Sequence, residues 1–226
     1  MTPEAALAEL RAAGNAEDAA GSAAYHKSKR EHLGVRNPVV DEMTKRWRAE
    51  IGLDLETRLA LAKGLWDSDI HEARVAAAKL LTQARIKGDE PVWRLICDWV
   101  PQFDAWAIAD HAAGAGARRI SADFSRLDEV EGWTTHENFW VRRAALVFTL
   151  PFAKPRHPKP EELRARERIL GWAAGYVVDR EWFIQKAIAW WLRDLSKRDP
   201  GRVAAFMEVH GPEMKAFARK EACKYL

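Results

Sequence analysis

Five segments of the chain share one short pattern, an ionisable residue leading into a small or apolar tract. Four carry a cation: HEARVAAAKLL (71–81), FWVRRAALVFTL (139–150), WFIQKAIAWWLRDL (182–195) and FARKEACKYL (217–226). They align on Arg74, Arg143, Lys186 and Lys220. The fifth, FDAWAIADHAAG (103–114), falls between the first two and puts Asp110 where the others have a cation. Successive anchors lie 33 to 43 residues apart, the length of a two-helix solenoid repeat. The longest interval holds the proline-rich insert PFAKPRHPKP (151–160), whose composition predicts a solvated loop rather than a DNA finger.

Local signals agree with helices throughout. No segment alternates apolar and polar residues as a half-buried strand would, and no Asn-Gly or Asp-Gly turn separates apolar runs. Helix starts are expected at Thr2 with Pro3 in the first turn, at Asp54, at Asp179, at Asp199 followed by Pro200, and at Gly211-Pro212. Phe183, Ala187, Trp190 and Trp191 recur at helical spacing. The reading is an all-α protein of about a dozen helices, a HEAT-like helical-repeat solenoid with a basic concave face. One domain is expected, with an N-terminal helical cap over about residues 1–50 and repeats over about 51–226. Equivalent inner-helix positions then line up along the concave face, and the predicted row reads Arg, Asp, Arg, Lys, Lys. A row of cations on a curved helical array suits duplex DNA, whose affinity for proteins is dominated by phosphate neutralisation.

Composition narrows the function. The formal net charge is only +3, but basic runs such as KSKREHLGVRN fit a polyanionic partner. Eleven tryptophans are many for 226 residues, and Trp66, Trp93, Trp99, Trp133 and Trp172 are expected in the core. Cys97 and Cys223 show no metal or redox spacing and read as buried or idle thiols of a reducing compartment. The histidines form no ligand motif, so no metal and no cofactor are expected. The N-terminus lacks the basic start and apolar core of a signal peptide, and no apolar run approaches membrane-spanning length. The protein is expected to be a cytoplasmic monomer, associated with the nucleoid when bound to DNA.

Several stretches together resemble the AlkD family of DNA alkylation repair glycosylases, which are built from HEAT-like repeats. They are YHKSKREHLGVRNP (25–38), LWDSDIHEARVAAAKLL (65–81), WAIAD (106–110), NFWVRRAALVF (138–148), WFIQKAIAWWLRD (182–194) and ARKEACKYL (218–226), in family order along almost the whole chain. The resemblance implies a fold that grips duplex DNA and removes cationic N3- or N7-alkylated purines. It implies a catalytic cluster of Trp106, Asp110 and Trp190. It also implies DNA contacts from Arg143, Arg193 and Tyr25, to which the charge row adds Lys186, Lys220 and Arg74. Two positions depart from the pattern. Ala107 stands where many members have a second acid, and His32 where an aromatic usually precedes the Leu-Gly stretch.

These residue types suit the chemistry. Alkylation at N7 of guanine or N3 of adenine makes the base cationic and a good leaving group, so the sugar needs the help as it becomes oxocarbenium-like. A fixed carboxylate beside it stabilises the developing charge and can orient water. Electron-rich indole faces favour a cationic neighbour. Trp106 lies one turn before Asp110, which puts both on one helix face. A non-catalytic HEAT-like scaffold binding nucleic acid or protein is the alternative, but a pure binder gains little from an acid in a basic groove.

Overall fold

The computed structural model describes every residue except Ser28, which lies within the basic KSKREHLGVRN run. Among the described residues it contains thirteen α-helices, short 3-10 turns and no strand; the one bridge, Glu31 with Ile70, is isolated. The all-α expectation is met, with one helix more than the dozen expected. The chain divides into two compact units, Met1–Arg119 and Ile120–Leu226.

The first unit opens with α1 (Pro3–Ala12), whose Thr2 hydroxyl accepts from the amide of Ala5 at 3.3 Å, as the sequence predicts. Helix α2 (Ala16–His26) is capped by Asn15, which accepts from the amide of Asp18 at 2.9 Å. Then follow α3 (Asn37–Ile51), α4 (Leu55–Asp67), α5 (His71–Leu81) and α6 (Glu90–Trp99). Asp54 caps α4 as expected, through the amide of Thr57 at 3.0 Å. Helix α5 is buried along all of its length except Lys79, and both α3 and α4 pack on it. Its alanines let those neighbours approach closely, while its buried Glu72 is satisfied by the amides of Leu33 and Gly34 at 2.9 and 2.8 Å. The indole of Trp66 stacks on Trp99 with centroids 4.2 Å apart and rings within 5° of parallel. Fully buried Arg119 ties the end of the unit together, donating to Asp89 at 2.7 Å and to the Ala84 carbonyl at 3.0 Å. It lies on α7 (Trp106–Ala122), and the division between the units falls inside this helix.

The second unit contains α8 (Leu127–Gly132), α9 (Phe139–Val147), α10 (Pro160–Tyr176), α11 (Trp182–Ser196), α12 (Pro200–His210) and α13 (Ala216–Ala222). Helix α11 is its centre, burying Ile184, Ala187, Ile188, Trp191, Leu192 and Leu195 and packing on α9, α12 and α13. Asp199 caps α12 as expected. Two expected starts move. Helix α11 begins after Glu181, because Asp179 is engaged by the amide of Glu181 at 2.8 Å and by Arg142 at 2.9 Å. Gly211-Pro212 opens a 3-10 turn, Gly211–Glu213, and α13 starts only at Ala216. Of the five tryptophans assigned to the core, Trp66, Trp93, Trp99 and Trp172 are buried and Trp133 is half-buried, edge-on to Phe148 at 5.3 Å. The proline-rich insert forms a short turn, Leu150–Ala153, then an exposed connection to α10.

Candidate functional site

Trp106 is the first residue of α7 and Asp110 lies one turn later, so both side chains leave the helix on one side. Both are half-exposed while the intervening Ala107, Ile108 and Ala109 are buried. That side opens onto a cleft of about 600 Å³ in the first unit. Its walls include Tyr25 and His26 from the end of α2, His71 and Glu72 from α5, and Trp106, Asp110 and His111 from α7. Two of the three residues of the expected catalytic cluster, Trp106 and Asp110, and the expected DNA contact Tyr25 therefore line this cavity, whereas Trp190 is not among its walls. The Tyr25 ring stands edge-on to Trp106 at 6.0 Å and is itself 71% exposed, so its outer face is open to a ligand.

Behind Trp106 lies a feature absent from the sequence reading, a column of imidazoles. His26 meets Trp106 at 5.1 Å and His71 at 4.7 Å, and His71 stacks on His32 at 4.3 Å with rings 17° from parallel. His32 is held by the hydroxyl of Ser22 on α2 at 2.8 Å. Burial pushes the His71 pKa down to about 3, reinforced by His32, His26, Arg30 and His111. Burial also lowers His26 and His32. The column is thus neutral at pH 7. Nδ1 of His26, Nε2 of His32 and Nδ1 of His71 are buried and find no hydrogen-bond partner among the described residues. No local spacing links residues 26, 32 and 71; the only hint was His32, standing where an aromatic is usual.

Asp110 also borders a second depression of about 290 Å³, lined by Lys45, Arg48 and Lys79 together with Asp41, Thr44, Thr82 and His111. Lys79 is paired to Asp41 at 2.7 Å, whereas Lys45 and Arg48 form no ion pair among the described residues. The carboxylate of Asp110 therefore stands on a ridge, with aromatic and imidazole rings on one side and cations on the other. Burial, with Lys79 adding to it, lowers the His111 pKa to about 4, so this ring is neutral at pH 7 as well.

The remaining predicted residues are placed less uniformly. Arg74 is buried and spent on its own fold, donating to the Trp66 carbonyl at 3.2 Å, pairing with Asp69 at 3.0 Å and lying over the Trp66 ring. Arg143, on α9, is also buried, with its guanidinium 5.7 Å from the Trp140 ring and 6.0 Å from Phe183. Along α11, Lys186, Trp190 and Arg193 share one partly exposed face, and Arg193 pairs with Glu221. Lys220 on α13 is exposed. Among the described residues no group of three or more potential ligands converges as a metal site would require, and no helix is long and apolar enough to cross a membrane.

A family model described as DNA alkylation repair enzyme matches residues 6–226. The chain belongs to this family. No curated protein matches by sequence. Among solved structures, a predicted DNA alkylation repair enzyme from Enterococcus faecalis is 24% identical, covering 94% of this chain and 96% of its own, with a TM-score of 0.80. AlkD2 from Streptococcus mutans is 19% identical with a TM-score of 0.60, covering 83% of this chain and 88% of its own. The protein smu.31 from Streptococcus mutans UA159 is 18% identical with a TM-score of 0.57, covering 83% of this chain and 99% of its own. These likenesses fix the fold as the helical-repeat type of the DNA alkylation repair family. Family membership makes DNA repair the role and DNA the partner.

Proposed function

We propose that the protein is a DNA glycosylase that hydrolyses the N-glycosidic bond of cationic N3- or N7-alkylated purines in duplex DNA. The observation that carries this reading is the placement of Trp106 and Asp110 on one side of α7, at the mouth of a cleft shared with Tyr25 and beside a cation-lined depression. In this reading DNA phosphates approach Lys45 and Arg48, and the lesion's sugar approaches Asp110. At about 4 Å and an effective dielectric of about 20, a carboxylate attracts a full positive charge by about 4 kcal/mol. Only the part gained as the sugar becomes cationic accelerates the reaction, and about 3 kcal/mol of it is roughly a hundredfold in rate. The same carboxylate orients the attacking water.

Trp106 supplies an indole face to the sugar, fixed in place by His26. The family resemblance assigns a second indole to Trp190. Lys186, Lys220 and Arg193 are proposed as phosphate contacts that position the duplex without reading its sequence. The neutral imidazoles add no positive charge to a cleft meant to stabilise a cation. Arg143 and Arg74, being buried, are proposed to act through the helices they brace.

The test is release of free 7-methylguanine and 3-methyladenine from alkylated duplex DNA by the purified protein, alongside a binding measurement on the same duplex. Release of either base supports the glycosylase. Intact binding with no release of either would assign the non-catalytic scaffold instead.

A further inference from the structure

The accessible face of α11 does not end at Lys186. One turn earlier stands Trp182, 48% exposed, so the row along this face reads Trp182, Lys186, Trp190, Arg193. An indole left this open on a helix terminus is unusual, since tryptophan normally buries its large apolar surface. Trp182 is nevertheless rigidly backed. Phe183 packs edge-on against it at 4.9 Å, and behind Phe183 lie Trp140 at 4.6 Å and Phe139 at 6.2 Å. On its flank the Phe217 ring of α13 lies at 5.7 Å and only 24° from parallel. The two rings form one aromatic surface with an open side.

Its surroundings are cationic. Lys186 lies one turn after Trp182 on α11, Lys215 is the N-cap residue of α13 and Lys220 lies one turn after Phe217, and none of them pairs with a carboxylate among the described residues. The neighbouring acid Glu181 is engaged as the cap of α11, accepting from the amide of Phe183. Other second-unit arginines are matched to acids, Arg142 to Asp179, Arg168 to Glu131 and Arg202 to Glu167. An open aromatic surface ringed by unmatched lysines fits a polyanion that also presents flat rings, which is a nucleic-acid strand with an unstacked base.

We propose that Trp182 and Phe217 form a stacking site for one unpaired nucleobase, whose flanking phosphates are held by Lys186, Lys215 and Lys220. The inference deepens the DNA-repair reading: the protein would hold DNA opened at a damaged or base-free position more tightly than an intact duplex. Along α11 the site lies about 12 Å from Trp190, eight residues at about 1.5 Å each. A base held there sits beside the row of expected DNA contacts. The backing rings matter because a side chain already fixed in its bound position loses little entropy when the base arrives.

The test uses the full-length protein and two undamaged duplexes, one fully paired and one with a single unpaired nucleotide, with affinity read by fluorescence anisotropy. Wild type is expected to bind the second about tenfold tighter, the order that stacking one base on an aromatic supplies. Trp182→Ala and Phe217→Ala should abolish that preference while leaving affinity for the paired duplex unchanged, and Trp182→Phe should keep most of it. Lys220→Gln should weaken both and lower the slope of log affinity against log salt by about one, whereas Trp182→Ala should not alter the slope. The proposal is overturned if wild type shows no preference, if Trp182→Ala retains it, or if Trp182→Ala weakens both duplexes equally. It also falls if sedimentation shows a dimer that Trp182→Ala dissociates, since the indole would then be covered by a second copy. Because no lesion is cleaved, a failure of base excision leaves this outcome readable on its own.

Discussion

The indole of Trp106 sits 5.1 Å from the imidazole of His26, centroid to centroid, with the rings tilted by 44°. His26 is the last residue of α2, a helix that buries none of its residues fully. The attachment of α2 to its unit therefore leans on His26, on the bond from Ser22 to His32, and on the Asn15 amide donating to the Leu33 carbonyl at 2.8 Å. Truncating His26 to alanine removes the ring that fixes Trp106. A ring contact of this kind is worth about 1 kcal/mol, which for a chain of this size lowers the melting temperature by about 3 °C. The expected outcome is that small loss in melting, faster amide exchange along α2, and base excision down about tenfold. Unchanged exchange in α2 would show that the imidazole does not hold it.

The buried histidines make stability depend on pH in a defined direction. His71 and His111 titrate in the folded protein at about 3 and about 4, while in the unfolded chain they take up a proton near 6.5. Between those limits the unfolded state binds more protons, so stability rises with pH and is lost progressively as pH falls below about 6.5. Each histidine protonated only in the unfolded chain costs about 1.4 kcal/mol per pH unit in that window. Melting temperatures measured from pH 7 to pH 4 should fall steeply for wild type and less steeply for His71→Phe, which keeps a flat ring and cannot titrate. Parallel curves for the two proteins would contradict the assignment.

The start of α2 packs closely against the backbone at Gly34. Its φ is +75°, and a Cβ there would meet the Asn15 carbonyl oxygen at 2.1 Å and the Ala19 amide at 2.5 Å. Gly34→Ala combines an unfavourable backbone region with a clash against backbone atoms that cannot rotate away. The expected cost is about 3 kcal/mol, read in urea titrations as a lower midpoint. Circular dichroism should show that the rest of the helices persist.

Arg119 is buried completely, and its guanidinium serves Asp89 and two carbonyls in the segment before α6. Arg119→Ala leaves Asp89 without this partner in a largely buried position, and a loss of about 3–5 kcal/mol is expected. Urea unfolding measures it. A loss under about 1 kcal/mol would mean that water replaces the guanidinium freely.

Much of the fold was legible because helix caps and period are local. Thr2, Asp54 and Asp199 cap helices as their sequence context predicts, and each of the five aligned anchors falls within a helix. Asp179 and Gly211 misled because each has a competing local partner, an adjacent amide and Arg142 for the first and a 3-10 turn for the second. The site was legible in part. Trp106 and Asp110 share a face because four residues make about one turn, and Tyr25, which the family resemblance implies as a DNA contact, lines the same cleft. The cation row was harder to read. Spacing cannot distinguish an exposed lysine such as Lys220 from an arginine enclosed by rings, as Arg74 is by Trp66 and Arg143 by Trp140 and Phe183. The imidazole column was invisible because contact among residues 26, 32 and 71 arises only when α2 folds back beside α5.

The central claim is that a single carboxylate on α7 stabilises positive charge on the sugar, and single-turnover base release by Asp110→Asn tests it most directly. The variant keeps the shape of the side chain and loses its charge. The account predicts release of 7-methylguanine slowed about a hundredfold, with affinity for the alkylated duplex equal to or tighter than wild type because a charge that repels phosphate is gone. Equal rates of release by the two proteins would contradict it.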